Sequence, residues 1–398
     1  MHPAPGGGTG QEEGSPGVRQ VIAAALRQPR NLCAHVWKTL NAILCCRTPA
    51  LGAHHYRCSD CGRDHLVPHS CRNRHCPDCQ GAAAHEWLER QEEDLLPVPY
   101  FHVVFTLPHS LNPLIAQNQR ALHTLLFQSA SATLLEFAHN KLGVRPGITV
   151  VLHTWGQNIL DHHHLHCIVT GGGLSADGKC WRGIKPNYLF PVRALSIVFA
   201  AKYRDGLKAL YEQGKLEFHG QMAAQSSPPG FARLVRDVCR KKWNVYAKRP
   251  FAGPRQVLAY LSLYTHRIAI GNRRILSLDQ STVTFSYKDY ADDSKRKTMT
   301  LALDEFLRRF CLHILPSRFV KIRHYGLLAN RGRDSRIELA RQLIGPPPPE
   351  TPESDEGKQR TAPVQLTCTH CGSTHLRLIA VIQPPRSTPK PPIPIDSS

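Results

Sequence analysis

A run of alternate histidines near the middle of the chain has the spacing of a metal site. In a β-strand, alternate side chains share one face, so His162, His164 and His166 would point to one side while Leu165 and Cys167 point to the other. Imidazoles on a rigid strand can bind one divalent ion and leave other coordination positions open for a phosphate oxygen. The run therefore predicts a catalytic metal site rather than a group of satisfied core histidines.

The sequence leaves the third ligand of this ion open. His162 has the right strand parity and is the ligand we expect, and Gln157 and His102 are the alternatives. Neutral imidazoles suit zinc, manganese and other transition ions, and an amide or carboxylate ligand would also admit magnesium. We therefore expect a divalent metal ion, with magnesium or manganese favoured.

Two tyrosines lie in a segment with a helical pattern. Pro254 begins this pattern and Gly271 follows it, in keeping with the preference for proline in the first turn and glycine just past the last. Tyr260 and Tyr264 are four residues apart and Arg267 is three further on, so all three share a helix face. A tyrosine can attack phosphorus when a metal and an arginine stabilise the charge. The same spacing would also fit an aromatic packing stripe.

Two Cys-X-X-Cys pairs with fourteen residues between them predict a structural zinc site. The expected ligands are Cys58, Cys61, Cys76 and Cys79. Cys71 and His75 lie in the intervening loop and are alternative ligands, or ligands of a second ion. Four thiolates leave zinc no open position, so this module would be structural and would bind DNA.

A third Cys-X-X-Cys pair, Cys368 and Cys371, has no further pair nearby in the sequence. His370 or His375 could complete a zinc site with it. The sequence leaves open whether this pair binds metal.

The charge of the chain favours a polyanionic partner. Lys and Arg number 50 against 30 Asp and Glu, which gives a formal net charge of +20. Arg72 and Arg74 lie among the cysteines, and Arg273 and Arg274 follow the tyrosine segment. Guanidinium groups at these places are expected to contact the phosphates of DNA.

The order of patterns predicts four regions. We expect a disordered arm at 1–17, a helical and zinc-binding DNA-binding domain at 18–98, a catalytic domain at 99–340, and a Pro-rich linker and tail at 341–398. Strand-like runs alternate with helical stretches in the third region, which favours an α+β core. No run of about 18 apolar residues and no secretion signal is present, so we expect no membrane partner and a cytoplasmic location.

Together these motifs resemble the double-tyrosine, rolling-circle insertion-sequence transposases of the HUH endonuclease superfamily, with an N-terminal transposase zinc-binding domain. The matching segments span about residues 20–335 and are 70–80, 100–108, 153–157, 164–167 with the following glycines, 260–275 and 323–326. One departure is His163, where the family pattern has proline, and its side chain should face away from the metal.

The resemblance implies that His164 and His166 are metal ligands and that Tyr260 and Tyr264 are nucleophiles. It also implies an HUH-type nicking domain with a central antiparallel sheet flanked by helices, plus a zinc-ribbon-like N-terminal domain. The implied substrate is single-stranded DNA at the element's ends and target, transferred without a double-strand break. The implied location is the bacterial nucleoid.

Two other functions fit parts of the pattern. A non-catalytic zinc-dependent DNA-binding protein, such as a decayed transposase, would need neither the histidines nor the tyrosines. A metal-dependent nuclease could activate water at the histidine face and would form no covalent intermediate. The oligomeric state is not indicated by the sequence.

Overall fold

The computed structural model describes residues 16–184, 189–241, 243–248, 265–346 and 366–385. The chain divides into two compact units. Unit 1 comprises Met1–Gly81, Ile270–Ile314 and Pro349–Ser398, and unit 2 comprises Ala82–Ala269 and Leu315–Pro348. This division differs from the predicted one, because residues 270–314 group with the N-terminal unit and not with the predicted catalytic domain.

The helices are numbered along the chain. They are α1 (Val18–Ala25), α2 (Ala34–Cys45), α3 (Gln80–Glu92), α4 (Asn112–Gln117), α5 (Gln119–Leu142), α6 (Val192–Glu212), α7 (Pro228–Arg240), α8 (Leu303–Leu312) and α9 (Arg333–Ile344).

The strands are numbered in the same way. They are β1 (Ala53–Cys58), β2 (Asp64–Pro68), β3 (Tyr100–Thr106), β4 (Val144–Trp155), β5 (Asp161–Ser175), β6 (Trp181–Gly183), β7 (Asn244–Lys248), β8 (Ile275–Leu278), β9 (Thr282–Asp289), β10 (Lys295–Ala302), β11 (Ile322–Gly326) and β12 (Leu376–Ile382).

Unit 1 joins segments that are far apart in the sequence. Its strands form two three-stranded antiparallel sheets, in the orders β12-β1-β2 and β10-β9-β8. The buried side of α1 includes Val18 and Ile22, which are spaced one helical turn apart. This side packs against α8, which buries Phe306 and Phe310. This packing explains why residues 270–314 belong to the N-terminal unit.

Unit 2 is built on one antiparallel sheet with the histidine-bearing strand at its centre. The strand order is β11-β4-β5-β3-β7, and β6 pairs with the far end of β5. Every adjacent pair of strands is antiparallel. Both neighbours of β5 can therefore place side chains beside its histidines.

Helices cover both faces of this sheet. One face carries Leu165 and Cys167 of β5, which pack with α5, α6 and α7 in a large apolar core. On the other face Ile168 packs in a second apolar cluster with Trp87 of α3 and Ile337 of α9. The expected α+β architecture, a central antiparallel sheet flanked by helices, is confirmed.

Strand β5 runs through three consecutive glycines. Gly171, Gly172 and Gly173 lie within it, and the strand ends at Ser175. A Cβ atom on Gly173 would lie 2.5 Å from the carbonyl oxygen of Arg145 in β4. The glycines therefore allow a close approach between two paired strands.

The longest helix of the described residues, α5, has 24 residues and many polar side chains. Within the described part of the chain, no helix combines the length and the apolar character that spanning a lipid bilayer requires.

Candidate active site and metal centres

Three histidines from two neighbouring strands meet on one face of the central sheet. His164 and His166 lie on β5 and His153 lies on β4, and one ring nitrogen from each lies within 4.8 Å of the others. His153 is the direct antiparallel partner of His164. Directly paired residues share a face, so β4 adds an imidazole to the face on which β5 already has two. All three side chains are buried.

The structure groups His153, and not the expected His162, with His164 and His166. His162 lies at the start of β5 and does not belong to the cluster. Its Nδ1 lies 3.0 Å from Nε2 of His109. Strand alternation puts His162 on the same face as His164 and His166, but His162 lies too near the start of β5 to join their cluster. The position next to His164 is filled across the sheet by His153, which the sequence contains but does not connect to β5.

Hydrogen bonds fix the orientation of the β5 imidazoles. Nδ1 of His164 donates to the carbonyl oxygen of His162 at 2.7 Å, so its lone pair is on Nε2. Nδ1 of His166 lies 2.8 Å from Nε2 of His102 on β3, and the two rings are stacked. His102 is thus a hydrogen-bonding partner of the cluster and not a member of it. Such partners orient metal-binding histidines.

The imidazoles are neutral near pH 7. Burial lowers the pKa of His164 to about 3, with smaller contributions from the neighbouring His162 and from Arg267. Burial, the adjacent histidines and Arg267 also lower the pKa of His166 well below its ordinary value. Burial lowers the pKa of His102 to about 4. Neutral imidazoles offer lone pairs to a cation, so the donor set fits a divalent transition ion.

Arg267 is an exposed residue whose charge acts on this cluster. A guanidinium beside a metal site is suited to bind a phosphate. Tyr260 and Tyr264, together with most of the predicted helix that carries them, lie outside the described residues, and their role stays a prediction.

The structure separates the four cysteines that the sequence assigns to one zinc site. Cys76 and Cys79 lie with Cys46 and Cys71, whereas Cys58 and Cys61 lie with another set of partners. The physical reason is that β1 and β2 form a hairpin directly after Cys46. The chain then returns to the end of α2, where His69 O accepts a hydrogen bond from the Arg47 amide at 3.0 Å.

The first cysteine cluster has the spacing of a tetrathiolate site. The Cys46 and Cys79 sulfurs are 3.6 Å apart, and the Cys71 and Cys79 sulfurs are 3.7 Å apart. Four sulfurs about 2.3 Å from one zinc ion stand about 3.8 Å from each other. Burial raises the pKa of the Cys46 thiol to about 12, so a cation is needed to stabilise its thiolate. The sequence does not predict Cys46 as a ligand, because Cys46 belongs to no Cys-X-X-Cys pair and is adjacent only to Cys45.

The second cysteine cluster joins Cys58 and Cys61 to Cys368 and Cys371. The third Cys-X-X-Cys pair, which has no partner pair nearby in the sequence, therefore has one in the fold. His370 and His375 do not belong to the cluster.

The predicted DNA-binding arginines differ in their surroundings. Arg72 and Arg273 are exposed. Arg74 is partly buried, and burial lowers its pKa. Arg274 donates to the carbonyl oxygen of Ser286 at 2.8 Å and lies 5.6 Å from the centre of the Phe285 ring. Arg72 and Arg273 are therefore the better placed to reach a phosphate.

Two segments of the chain match models of transposase families. Residues 147–336 match the family model described as "Putative transposase", and residues 18–107 match the "Transposase zinc-binding domain". The metal-bound structure of the conjugative relaxase TrwC in complex with oriT DNA is 15% identical. It covers 42% of this chain and 71% of its own, with a TM-score of 0.23, which is too low to establish a common fold.

Two curated relatives match most of the chain. "Putative transposase y4qJ" of Sinorhizobium fredii (strain NBRC 101917 / NGR234) is 43% identical over 328 residues, which cover 81% of this chain and 82% of that protein. The transposase for insertion sequence element IS801 of Pseudomonas savastanoi pv. phaseolicola is 31% identical over 301 residues, which cover 74% of this chain and 70% of that protein. The chain therefore belongs to the insertion-sequence transposases that carry this zinc-binding domain.

Proposed function

We propose that this transposase nicks and transfers single-stranded DNA at the ends of its element through 5′-phosphotyrosine intermediates, as in rolling-circle transposition. The buried cluster of His153, His164 and His166 beside Arg267 carries the proposal. It combines three imidazoles that can donate electron pairs to one divalent ion with an exposed arginine whose charge acts on them and which can bind a phosphate.

The proposed reaction is an exchange of one phosphodiester for another. The hydroxyl oxygen of Tyr260 or Tyr264 forms a bond to phosphorus, and the bond from phosphorus to the 3′ oxygen breaks. The phenolic proton is lost and the leaving oxygen takes up a proton, which gives a free 3′-hydroxyl and a 5′-phosphotyrosine. Arg267 binds a non-bridging oxygen. A bound divalent ion would supply Lewis-acid stabilisation of the phosphate charge.

A second tyrosine permits strand transfer without release of the DNA. After the first tyrosine has bound one 5′ end, the other can cleave the second strand. The 3′-hydroxyl released by this second cut can then attack the first phosphotyrosine, which forms a new phosphodiester and releases the tyrosine hydroxyl. Single Tyr→Phe variants should keep some nicking of isolated strands but should not complete transposition in cells. This outcome would separate the two roles.

The histidine donor set favours a transition ion. The cluster of His153, His164 and His166 contains no carboxylate among the described residues, and magnesium prefers oxygen ligands. We therefore favour manganese or another first-row transition ion for nicking, and structural zinc at Cys46, Cys71, Cys76 and Cys79. The exposed Arg72 and Arg273 would contact DNA phosphates, with the protein acting in the bacterial cytoplasm at the nucleoid.

Covalent capture on single-stranded oligonucleotides from the element's ends tests the proposal. The wild-type protein with manganese should give a protein–DNA adduct that survives denaturation. His166→Ala should lose both adduct and cleavage, and His109→Ala, which alters a histidine outside the cluster, should keep them. The variant with both Tyr260→Phe and Tyr264→Phe should lose the adduct but still bind DNA.

The same experiment distinguishes the other two functions. Cleavage without any adduct would indicate activated water, and binding without cleavage would indicate a DNA-binding protein. An adduct that persists in the double tyrosine variant would place the nucleophile elsewhere.

A further inference from the structure

We propose that Cys58, Cys61, Cys368 and Cys371 form a second structural zinc site, which fastens residues 366–385 to the β1–β2 hairpin within unit 1. Among the described residues, the four cysteine sulfurs all lie within 4.8 Å of one another. Cys58 and Cys371 are 313 positions apart, so the site joins two segments that are distant in the sequence.

The sulfur distances are those of a metal tetrahedron. The Cys58 and Cys371 sulfurs are 3.6 Å apart, and so are those of Cys61 and Cys368. Sulfurs bonded to each other would be about 2.05 Å apart, whereas those around one zinc ion are about 3.8 Å apart. The cluster therefore has the geometry of four thiolates around one ion rather than of two disulfides.

The two loops that bring the cysteines together have the same backbone geometry. Each has the sequence Cys-X-X-Cys-Gly, and the glycines, Gly62 and Gly372, both have φ of +74°. In each loop the glycine amide donates to the carbonyl oxygen of the first cysteine at 2.9 Å. The first cysteine's amide donates to the residue after the glycine, at 2.8 Å from Cys58 and 2.7 Å from Cys368.

This repetition has a physical explanation. A tight turn closed by glycine directs both of its sulfurs to one point and turns backbone amides towards them. Two such turns facing each other make a complete tetrahedral donor set.

A neighbouring histidine supports the site from β2. Nε2 of His65 lies 3.2 Å from the Cys368 sulfur, where an N–H group can donate to a thiolate. Hydrogen bonds of this kind stabilise metal-bound thiolates and hold their orientation. The contact crosses from the N-terminal hairpin to the C-terminal segment.

The C-terminal strand needs such an attachment because it buries little apolar surface. Strand β12 pairs with β1, yet Leu378, Ile379, Val381 and Ile382 on it are all exposed, at 41–48%. The hydrophobic effect therefore contributes little to holding this strand, and a strand held mainly by backbone hydrogen bonds is marginally stable. A metal bound by cysteines of both segments would supply the missing stability.

Cobalt substitution of the full-length protein tests the site. The thiolate-to-cobalt charge-transfer absorption is proportional to the amount of cobalt bound by cysteines, and cobalt bound by histidines alone does not contribute to it. Cys371→Ser should lose about half of this absorption and one zinc per chain, and limited proteolysis should then cut within residues 366–385. Cys371→His, which keeps a zinc ligand, should restore the metal and the protection. Cys239→Ser, at an exposed cysteine outside both clusters, should match the wild type.

A complementary variant separates the two cysteine clusters. Cys76→Ser should lose the other half of the absorption while residues 366–385 stay protected. Cys368→Ser in the full-length protein should also bind one zinc fewer than the wild type. Unchanged metal content in both Cys371→Ser and Cys368→Ser would overturn the proposal.

Discussion

Replacing His102 tests whether its hydrogen bond to His166 strengthens metal binding by the histidine cluster. His102 is 2% exposed, and its Nε2 lies 2.8 Å from Nδ1 of His166. When Nε2 of His166 binds a metal, its Nδ1 carries the proton and donates to His102. His102→Phe keeps a ring of similar size but leaves this buried N–H without an acceptor.

The size of the effect follows from the burial of the donor. An unpaired buried N–H group costs about 1–3 kcal/mol, and each 1.4 kcal/mol is a factor of about ten in affinity. We therefore expect His102→Phe to weaken manganese binding roughly 5- to 150-fold. Loss of an outer hydrogen-bonding partner commonly weakens metal binding by about 10- to 100-fold, which lies within this range.

The assay is nicking of single-stranded element ends as a function of manganese concentration, with metal affinity measured separately by calorimetry. His102→Phe should need more manganese but should approach the wild-type rate at saturation. His102→Gln offers an amide oxygen as acceptor and should recover most of the affinity. His109→Phe alters the exposed His109–His162 pair and is the matched control.

Two results would refute this reasoning. An unchanged metal affinity in His102→Phe would show that the hydrogen bond does not support the ligand. Normal metal binding with no nicking at any metal concentration would show that His102 acts directly on the DNA.

Three further predictions concern the cysteines, the arginine and the acid response. Cys76→Ser should release one zinc per chain and weaken DNA binding, and unchanged zinc by elemental analysis would contradict a structural site. Arg267→Gln should slow adduct formation about 100-fold or more while DNA affinity, measured by anisotropy, changes little. Burial, with a smaller contribution from Arg323, lowers the pKa of His123 from 6.5 to about 3. Below pH 6.5 the unfolded chain therefore binds a proton that the folded chain does not, and the free energy of unfolding falls as the pH falls. His123→Leu should therefore reduce the loss of unfolding free energy between pH 7 and pH 5 by about 2 kcal/mol in urea titrations, and an equal loss in both proteins would contradict the assignment.

The sequence by itself determined the local parts of each site. Alternation in β5 put His164 and His166 on one face, because the side-chain period of a strand is a property of its own backbone. The Cys-X-X-Cys spacing predicted metal-binding turns for the same reason. The charge excess of the chain indicated a polyanionic partner, since net charge needs no fold to be counted.

Only the tertiary structure decided which local parts meet. His153 became the neighbour of His164 through the register of β4 and β5, and register depends on the packing of a whole sheet face. The Cys58 turn faces the Cys371 turn because β12 pairs with β1, although the nearer Cys76 turn has the better sequence spacing. A pattern of residues fixes the direction of a side chain relative to its own backbone, but the partner of that side chain depends on contacts between distant segments.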